Sequence, residues 1–255
     1  MCIVMGADTA TIPSQRQAPD VVRHSTSKMK LLPENKLVWS PIVVNSRMNR
    51  ERNSSGVNSY EQEFKFKPED YLASKIKDFG YASWLDLCCG RGNALIQTAK
   101  YFEKLGQQNL IKLKGIDLVD TFQIINAHIK CVEFVSESLI HWKPDQTYDL
   151  ITCVHGLHYL GDKLKVIETA IGALNPNGLF IANIDLNNIV IQGKDSKSYL
   201  KDLFKHYGVT YNSRRKVFER IGTAVVKFDV KYLGADDDYG PNYTGQDSVT
   251  SYYSF

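Results

Sequence analysis

The chain has no apolar run approaching the roughly 18 uninterrupted residues of a bilayer-spanning helix, so no such span is expected. It also has no C-x-x-C pair, and no histidine stands at zinc spacing from Cys2, Cys88, Cys89, Cys131 or Cys153. A metal site is therefore not expected, and an odd cysteine count without a disulfide framework points to reduced thiols in a cytoplasmic protein. No basic stretch precedes the apolar residues Met1 to Met5, and Asp8 follows soon after, which argues against a secretory leader. An excess of one sign of charge is nearly absent: 31 basic and 28 acidic residues leave a net +3. Within that balance Lys28, Lys30, Lys36, Arg47, Arg50 and Arg52 gather near the N-terminus. They fit a solvated arm better than a nucleic-acid contact, although phosphate binding stands as the second reading. The chain carries no internal repeat and no pattern that sets an oligomeric state.

What is present is ample apolar material, 43% of 255 residues, for one large core. Residues 1–27 lack periodicity and read as a poorly ordered arm. Residues 28–68 contain an apolar run, Leu37 to Val44, and a polar stretch, Asn45 to Gly56, suited to lie over something; this is a lid or substrate segment. A single α/β domain follows over 69–233, and 234–255 form an acidic, aromatic tail.

Within the domain the spacing predicts helices over Glu69 to Phe79, Asn93 to Leu105, Thr121 to Ala127, Asp162 to Leu174 and Ser198 to Tyr207. Strands are predicted over Ala82 to Leu87, Ile111 to Val119, Cys131 to Val135, Tyr148 to Val154 and Leu179 to Ile184, with a turn at Pro176-Asn177-Gly178. Val217 to Ile221 and Ala224 to Tyr232, around Gly222-Thr223, are predicted as a closing antiparallel pair. Strands alternating with helices imply a mostly parallel sheet of seven strands with helices on both faces.

The most informative segment is Trp84-Leu85-Asp86-Leu87-Cys88-Cys89-Gly90-Arg91-Gly92-Asn93-Ala94-Leu95. A buried strand ends near an acid, turns through Gly90 and Gly92, and enters a helix. Glycines allow a sharp turn and close approach to a ligand, and the helix N-terminus offers N–H groups and a positive dipole end. Asp117, at the end of the next strand, suits the two hydroxyls of a ribose; a solvated strand-end carboxylate is the alternative for it alone.

The Asp86 loop resembles the first motif of class I S-adenosylmethionine-dependent methyltransferases. Tyr148 to Leu160 resembles that family's fourth-strand motif, and Leu174-Asn175-Pro176-Asn177-Gly178-Leu179-Phe180 its turn into strand five. The resemblance covers about Tyr71 to Tyr232, with the motifs in family order. It departs at Cys88 and Asn177, where glycine is usual. It implies a Rossmann-like methyltransferase domain that binds S-adenosylmethionine. Asp86 and the backbone of Cys88, Gly90 and Gly92 would hold the methionine portion and Asp117 the ribose. Leu118 would pack on adenine with Glu137 or Ser138 near its amino group, Val154 would line the cofactor, and Tyr60 would close against it.

The implied reaction is methyl transfer to an oxygen or nitrogen of a small molecule or peptide by in-line displacement. Ligands in such sheets collect beyond the C-terminal strand ends. His155, His158 and Asp185 stand there as candidate bases or acceptor grips, against a packing role for each. The fourth-strand segment lacks the Asn/Asp-Pro-Pro-Tyr/Phe signature of members that methylate nucleobase or glutamine amines. A nicotinamide-dependent oxidoreductase and a non-catalytic cofactor-binding protein remain the alternatives.

Overall fold

Apolar runs too short for helices and bounded by turn residues make the buried strands, and the 3.6-residue apolar spacing makes the helices that cover them. The computed structural model describes residues 31–44 and 51–255. The expected arm at 1–27, and Lys28, Lys30, Arg47 and Arg50 of the basic group, lie outside the described residues. The helices are α1 (Glu34–Leu37), α2 (Pro41–Val44), α3 (Tyr60–Phe64), α4 (Pro68–Phe79), α5 (Asn93–Lys104), α6 (Lys163–Gly172) and α7 (Ser196–His206). The strands are β1 (Ala82–Leu87), β2 (Ile111–Asp117), β3 (Val132–Ser136), β4 (Tyr148–Cys153), β5 (Leu174–Asn183), β6 (Ile189–Ile191), β7 (Val209–Asn212), β8 (Val217–Ile221), β9 (Lys231–Asp236) and β10 (Thr250–Ser254).

Seven strands form one sheet in the order β3-β2-β1-β4-β5-β8-β7, parallel except for β8, which runs antiparallel to both neighbours. This is the Rossmann-like sheet expected. Alternation along each strand splits the core between the faces. Trp84, Leu113, Leu150, Ile181 and Val217 pack with Leu72, Ile76, Leu95 and Phe102 of α4 and α5. Leu85, Ile116, Ile151, Phe180 and Phe218 pack on the other side with Leu164, Ile167, Leu200 and Phe204 of α6 and α7. Because β1 to β4 are parallel, their C-terminal ends open on one edge.

Three expectations are corrected. The antiparallel partner of Val217–Ile221 is Val209–Asn212, not 224–232. Residues 224–230 carry no regular structure, and Lys231–Asp236 joins a second, three-stranded sheet ordered β6-β10-β9. Gly222 does not turn a hairpin: its N–H donates to Gly178 O at 2.8 Å, anchoring the chain to β5. Thr121 to Ala127 is not helical. Its Phe122 stacks on Phe134 at 4.8 Å and Gln123 N donates to Arg91 O, so tertiary contacts replace the local ladder. The Pro176-Asn177-Gly178 turn is absorbed into β5 as a bulge, with Tyr148 opposite Leu174 and Leu150 opposite Leu179.

The C-terminal segment is built into the fold. Thr250 to Tyr253 are buried at the centre of the small sheet. Lys163 Nζ donates to Leu160 O, Val249 O and Ser251 Oγ, each at 2.8 Å, tying β10 to the start of α6.

Candidate active site

The loop after β1 is shaped by three left-handed residues, Cys88, Gly90 and Gly92. Left-handed backbone is disfavoured for a residue with a Cβ, yet Cys88 adopts φ 57°, held where its side chain packs against Gly156. A Cβ at Gly156 would lie 2.3 Å from Cys88 Cβ and 2.8 Å from Cys153 Sγ. Glycine there is what lets the two loops meet. Gly90 N donates to Asp117 Oδ2 at 2.8 Å and Val119 N to Asp117 Oδ1 at 3.1 Å. The Asp117 carboxylate therefore fixes the loop against the end of β2.

Beneath the loop, Asp86 is fully buried. Thr152 Oγ1 donates to its Oδ1 at 2.6 Å and Tyr60 Oη to its Oδ2 at 2.7 Å, while Trp84 Nε1 donates to Thr152 Oγ1 at 2.8 Å. Burial pushes the Asp86 carboxyl up to about 7, opposed by the two O–H donors, with the Asp117 charge adding to the rise. Tyr60 lies edge-on to Trp84 and ties α3 to the sheet.

Two cavities open at this edge. The first encloses about 730 Å³ with its open mouth included. Of the expected cofactor residues it brings together Cys88, Gly90, Asp117, Leu118, Glu137, Ser138 and Val154, with His155 beside them. Asp86, Tyr60 and Gly92 do not line it. Asp86 and Tyr60 are buried next to the loop, and Gly92 begins α5 against the Phe134 ring. Glu137 N donates to Asp117 O at 2.9 Å, so these two strand-end acids stand side by side. The remaining wall comes from Leu139, Gly156, Tyr159 and Leu160 and from the N-terminal segment, through Glu34, Leu37, Val38 and Val43. Leu37 is 1% exposed, buried with Ala235 and Val249 of the small-sheet region.

The second cavity, about 830 Å³ with its mouth, is lined by Arg52, Gln62, Glu63, Lys65, His155, Arg214, Arg215, Tyr243, Thr244 and Gln246. His155 belongs to both walls. It follows β4 in a left-handed conformation, φ 57°, and its N–H donates to Asn183 Oδ1. Its Nε2 lies 3.1 Å from Glu63 Oε1, which also accepts from Arg52 Nη1 at 2.8 Å. Burial opposes ionisation of Glu63, but the His155 hydrogen bond and the charges of His155 and Arg52 outweigh it and hold the carboxyl below its usual range.

His158 and Asp185 stand further back, on neither wall. His158 is 1% exposed, its two ring nitrogens lack partners among the described residues, and burial keeps it neutral by pushing its pKa well below the usual value. Its ring packs 5.5 Å from Tyr243 and 5.8 Å from His155. Asp185 accepts from Asn187 N and Tyr243 N and so shapes the loop that carries Tyr243.

Residues 50–220 match the family model of the methyltransferase domain. The chain belongs to that family. It carries that domain on the Rossmann-like sheet described above. Among solved structures, it is similar to the amino pentose methyltransferase CalS10 from Micromonospora echinaspora, at 19% identity, 45% of this chain, 47% of that one and a TM-score of 0.35. It is similar to the plantazolicin methyltransferase BpumL, solved with a desmethylPZN analog and S-adenosylhomocysteine, at 18% identity, 58% and 51% coverage and a TM-score of 0.37. A third is the N-methyltransferase NodS from Bradyrhizobium japonicum, at 12% identity, covering 61% of this chain and 85% of that one with a TM-score of 0.37. The chain spans about half the length of the first two. No curated protein sequence matches it.

The first cavity fits the methyltransferase's cofactor on its own chemistry. Glu34, Asp117 and Glu137 are acidic, no lysine or arginine shares their wall, and most of the remaining surface is apolar. Such a wall suits a donor carrying a sulfonium, an amine and a flat base. Sequence reasoning expected a lid or substrate segment over 28–68 but named no site residue in it besides Tyr60, and it missed Glu63, Thr152 and the contacts from Glu34 to Val43. Thr152 carries no signal beyond a buried strand, and α1 and α2 are four residues each, too short to show periodicity. Glu63 is brought to His155 by a short helix whose start, Ser59-x-x-Gln62, is a capping pattern that names no chemistry. Among the described residues no group of three or more His, Cys, Asp or Glu could hold a metal.

Proposed function

We propose that this methyltransferase moves a methyl group to an oxygen or nitrogen of a small molecule or peptide held in the second cavity, with His155 at the junction. The observation that carries this reading is the place of His155 on both walls, with Glu63 3.1 Å from its Nε2. When bound, S-adenosylmethionine supplies a methyl group on a sulfonium, whose carbon bonds to the acceptor as its bond to sulfur breaks.

The chain's own part is binding, orientation and proton removal. Asp117 holds the ribose and keeps the loop of Cys88 and Gly90 in place; Leu118 and Val154 pack on the base, with Glu137 and Ser138 near its amino group. Asp86 supports the loop from below and Tyr60 holds Asp86. His155 accepts the proton that a hydroxyl or protonated amine loses, and Glu63 stabilises the resulting imidazolium. His158 and Asp185 position His155 and Tyr243. The apolar wall of Leu37, Val38 and Val43 keeps water from the donor.

The test combines calorimetric binding of S-adenosylhomocysteine with turnover of S-adenosylmethionine across hydroxyl and amine acceptors. Donor binding and an acceptor-dependent product are expected, with turnover strongly reduced in His155→Ala while S-adenosylhomocysteine affinity is kept. A protein that binds no S-adenosylhomocysteine, or a His155→Ala variant of full activity, contradicts the proposal.

A further inference from the structure

The second cavity differs from the first in charge. Four cationic side chains, Arg52, Lys65, Arg214 and Arg215, share its lining with a single carboxylate, Glu63. Glu63 is already engaged. Its Oε1 takes Arg52 Nη1 and His155 Nε2, and its backbone carbonyl accepts from Arg215 Nη2 at 2.6 Å. Neither the Lys65 ammonium nor the Arg214 guanidinium has a carboxylate partner among the described residues, and both are exposed at this wall. They come from different elements. Lys65 caps α3 in a left-handed conformation, and Arg214 lies in the β7–β8 turn, where its backbone N–H is held by Asn212 Oδ1. Two segments far apart in sequence thus bring unneutralised positive charge to a cavity that shares His155 with the donor site.

Concentrated positive charge in a concave site raises the local concentration of anions, and guanidinium groups pair with carboxylate or phosphate through directed hydrogen bonds. The donor wall has the opposite sign, so an anionic acceptor is directed to the second cavity and away from the first. We infer that the methyl acceptor carries an anionic group, a carboxylate or a phosphate, bound by Lys65 and Arg214 with Arg52 and Arg215 behind them, which orients the remainder of the molecule toward His155. This rests on the second cavity being the acceptor site.

The test uses the full chain saturated with S-adenosylhomocysteine, so that the donor cavity is closed to the probes. Benzoate, phenyl phosphate and benzylamine are titrated separately at constant ionic strength and followed by calorimetry. One or both anions bind and benzylamine does not; the stronger of the two tells carboxylate from phosphate. In Lys65→Ala/Arg214→Ala, anion affinity falls at least about tenfold, with S-adenosylhomocysteine affinity unchanged as the check on folding. The inference is overturned if benzylamine binds as well as the anions, if neither anion binds, or if the double variant binds them as the parent does. Failure of S-adenosylhomocysteine itself to bind would instead sink the functional reading beneath it.

Discussion

The two cavities share His155 and little else. The first has three carboxylates and no cation on a largely apolar wall; the second has four cations against one carboxylate that is already paired. Their origins differ as well. The first is built mainly from the ends of parallel strands, where backbone geometry is set by the sheet, and is covered by two helical turns. The second is assembled from loops and helix ends, the regions where substrate preference is most easily varied on a constant scaffold. Under the function proposed above, donor recognition resides in the sheet and acceptor recognition in what surrounds it.

The largest effect that would sharpen this contrast is expected at the shared residue. His155→Ala should lower kcat by about 10²- to 10⁴-fold, the usual contribution of a general base, while S-adenosylhomocysteine affinity changes little. Glu63→Gln should cost less, because a neutral amide still accepts a hydrogen bond from His155 but stabilises the imidazolium less well than a carboxylate. Steady-state kinetics across pH read both; equal donor-affinity losses in the two variants would place His155 in donor binding alone.

Next comes the donor side. Asp117→Ala removes the acceptor for Gly90 N and Val119 N as well as the proposed ribose contact. About a tenfold to hundredfold rise in the S-adenosylhomocysteine dissociation constant is expected by calorimetry, the scale of one or two charge-assisted hydrogen bonds. Unchanged affinity would remove Asp117 from the donor site.

A smaller effect tests how the two loops meet. Gly156→Ala puts a methyl group into Cys88 and Cys153 and should destabilise the protein by about 1–3 kcal/mol, the range for overpacking. Cys88→Gly in the same chain should recover part of that in denaturant unfolding, since the nearest two clashes disappear. No recovery would mean that the Cys88 contact does not govern the loop.

A comparable effect concerns pH and Asp86. Its pKa rises from 3.8 in the unfolded reference to about 7 in the folded protein. The folded state therefore holds a proton that the unfolded state releases. The contribution to stability is complete below about pH 4 and is lost as pH rises through about 7. Asp86→Asn should flatten that part of the stability curve, read as the difference in denaturation free energy between parent and variant at pH 5 and pH 7.5. An identical slope in both would exclude Asp86 as its source.

The donor half was largely legible in the sequence because it depends on local pattern. Ala82–Leu87 and Tyr148–Cys153 are short apolar runs, and the left-handed loop announces itself through Gly90 and Gly92. The acceptor half depends on long-range assembly. Arg52 and Glu63 lie 11 positions apart, and Arg215 reaches the Glu63 carbonyl across 152; no spacing rule connects them. The strand pairing failed for a related reason. Val209–Asn212 is four residues long and half exposed, a weaker strand signal than the longer run after Gly222 that the fold leaves irregular.

In the proposed mechanism the donor and acceptor cavities meet at His155, and histidine-selective NMR reads that junction from both sides. With the His155 ring signal assigned through His155→Asn, S-adenosylhomocysteine is added, followed by benzoate. The His155 signal should shift on each addition while those of His128 and His206 stay in place. A His155 signal that neither ligand moves would contradict it.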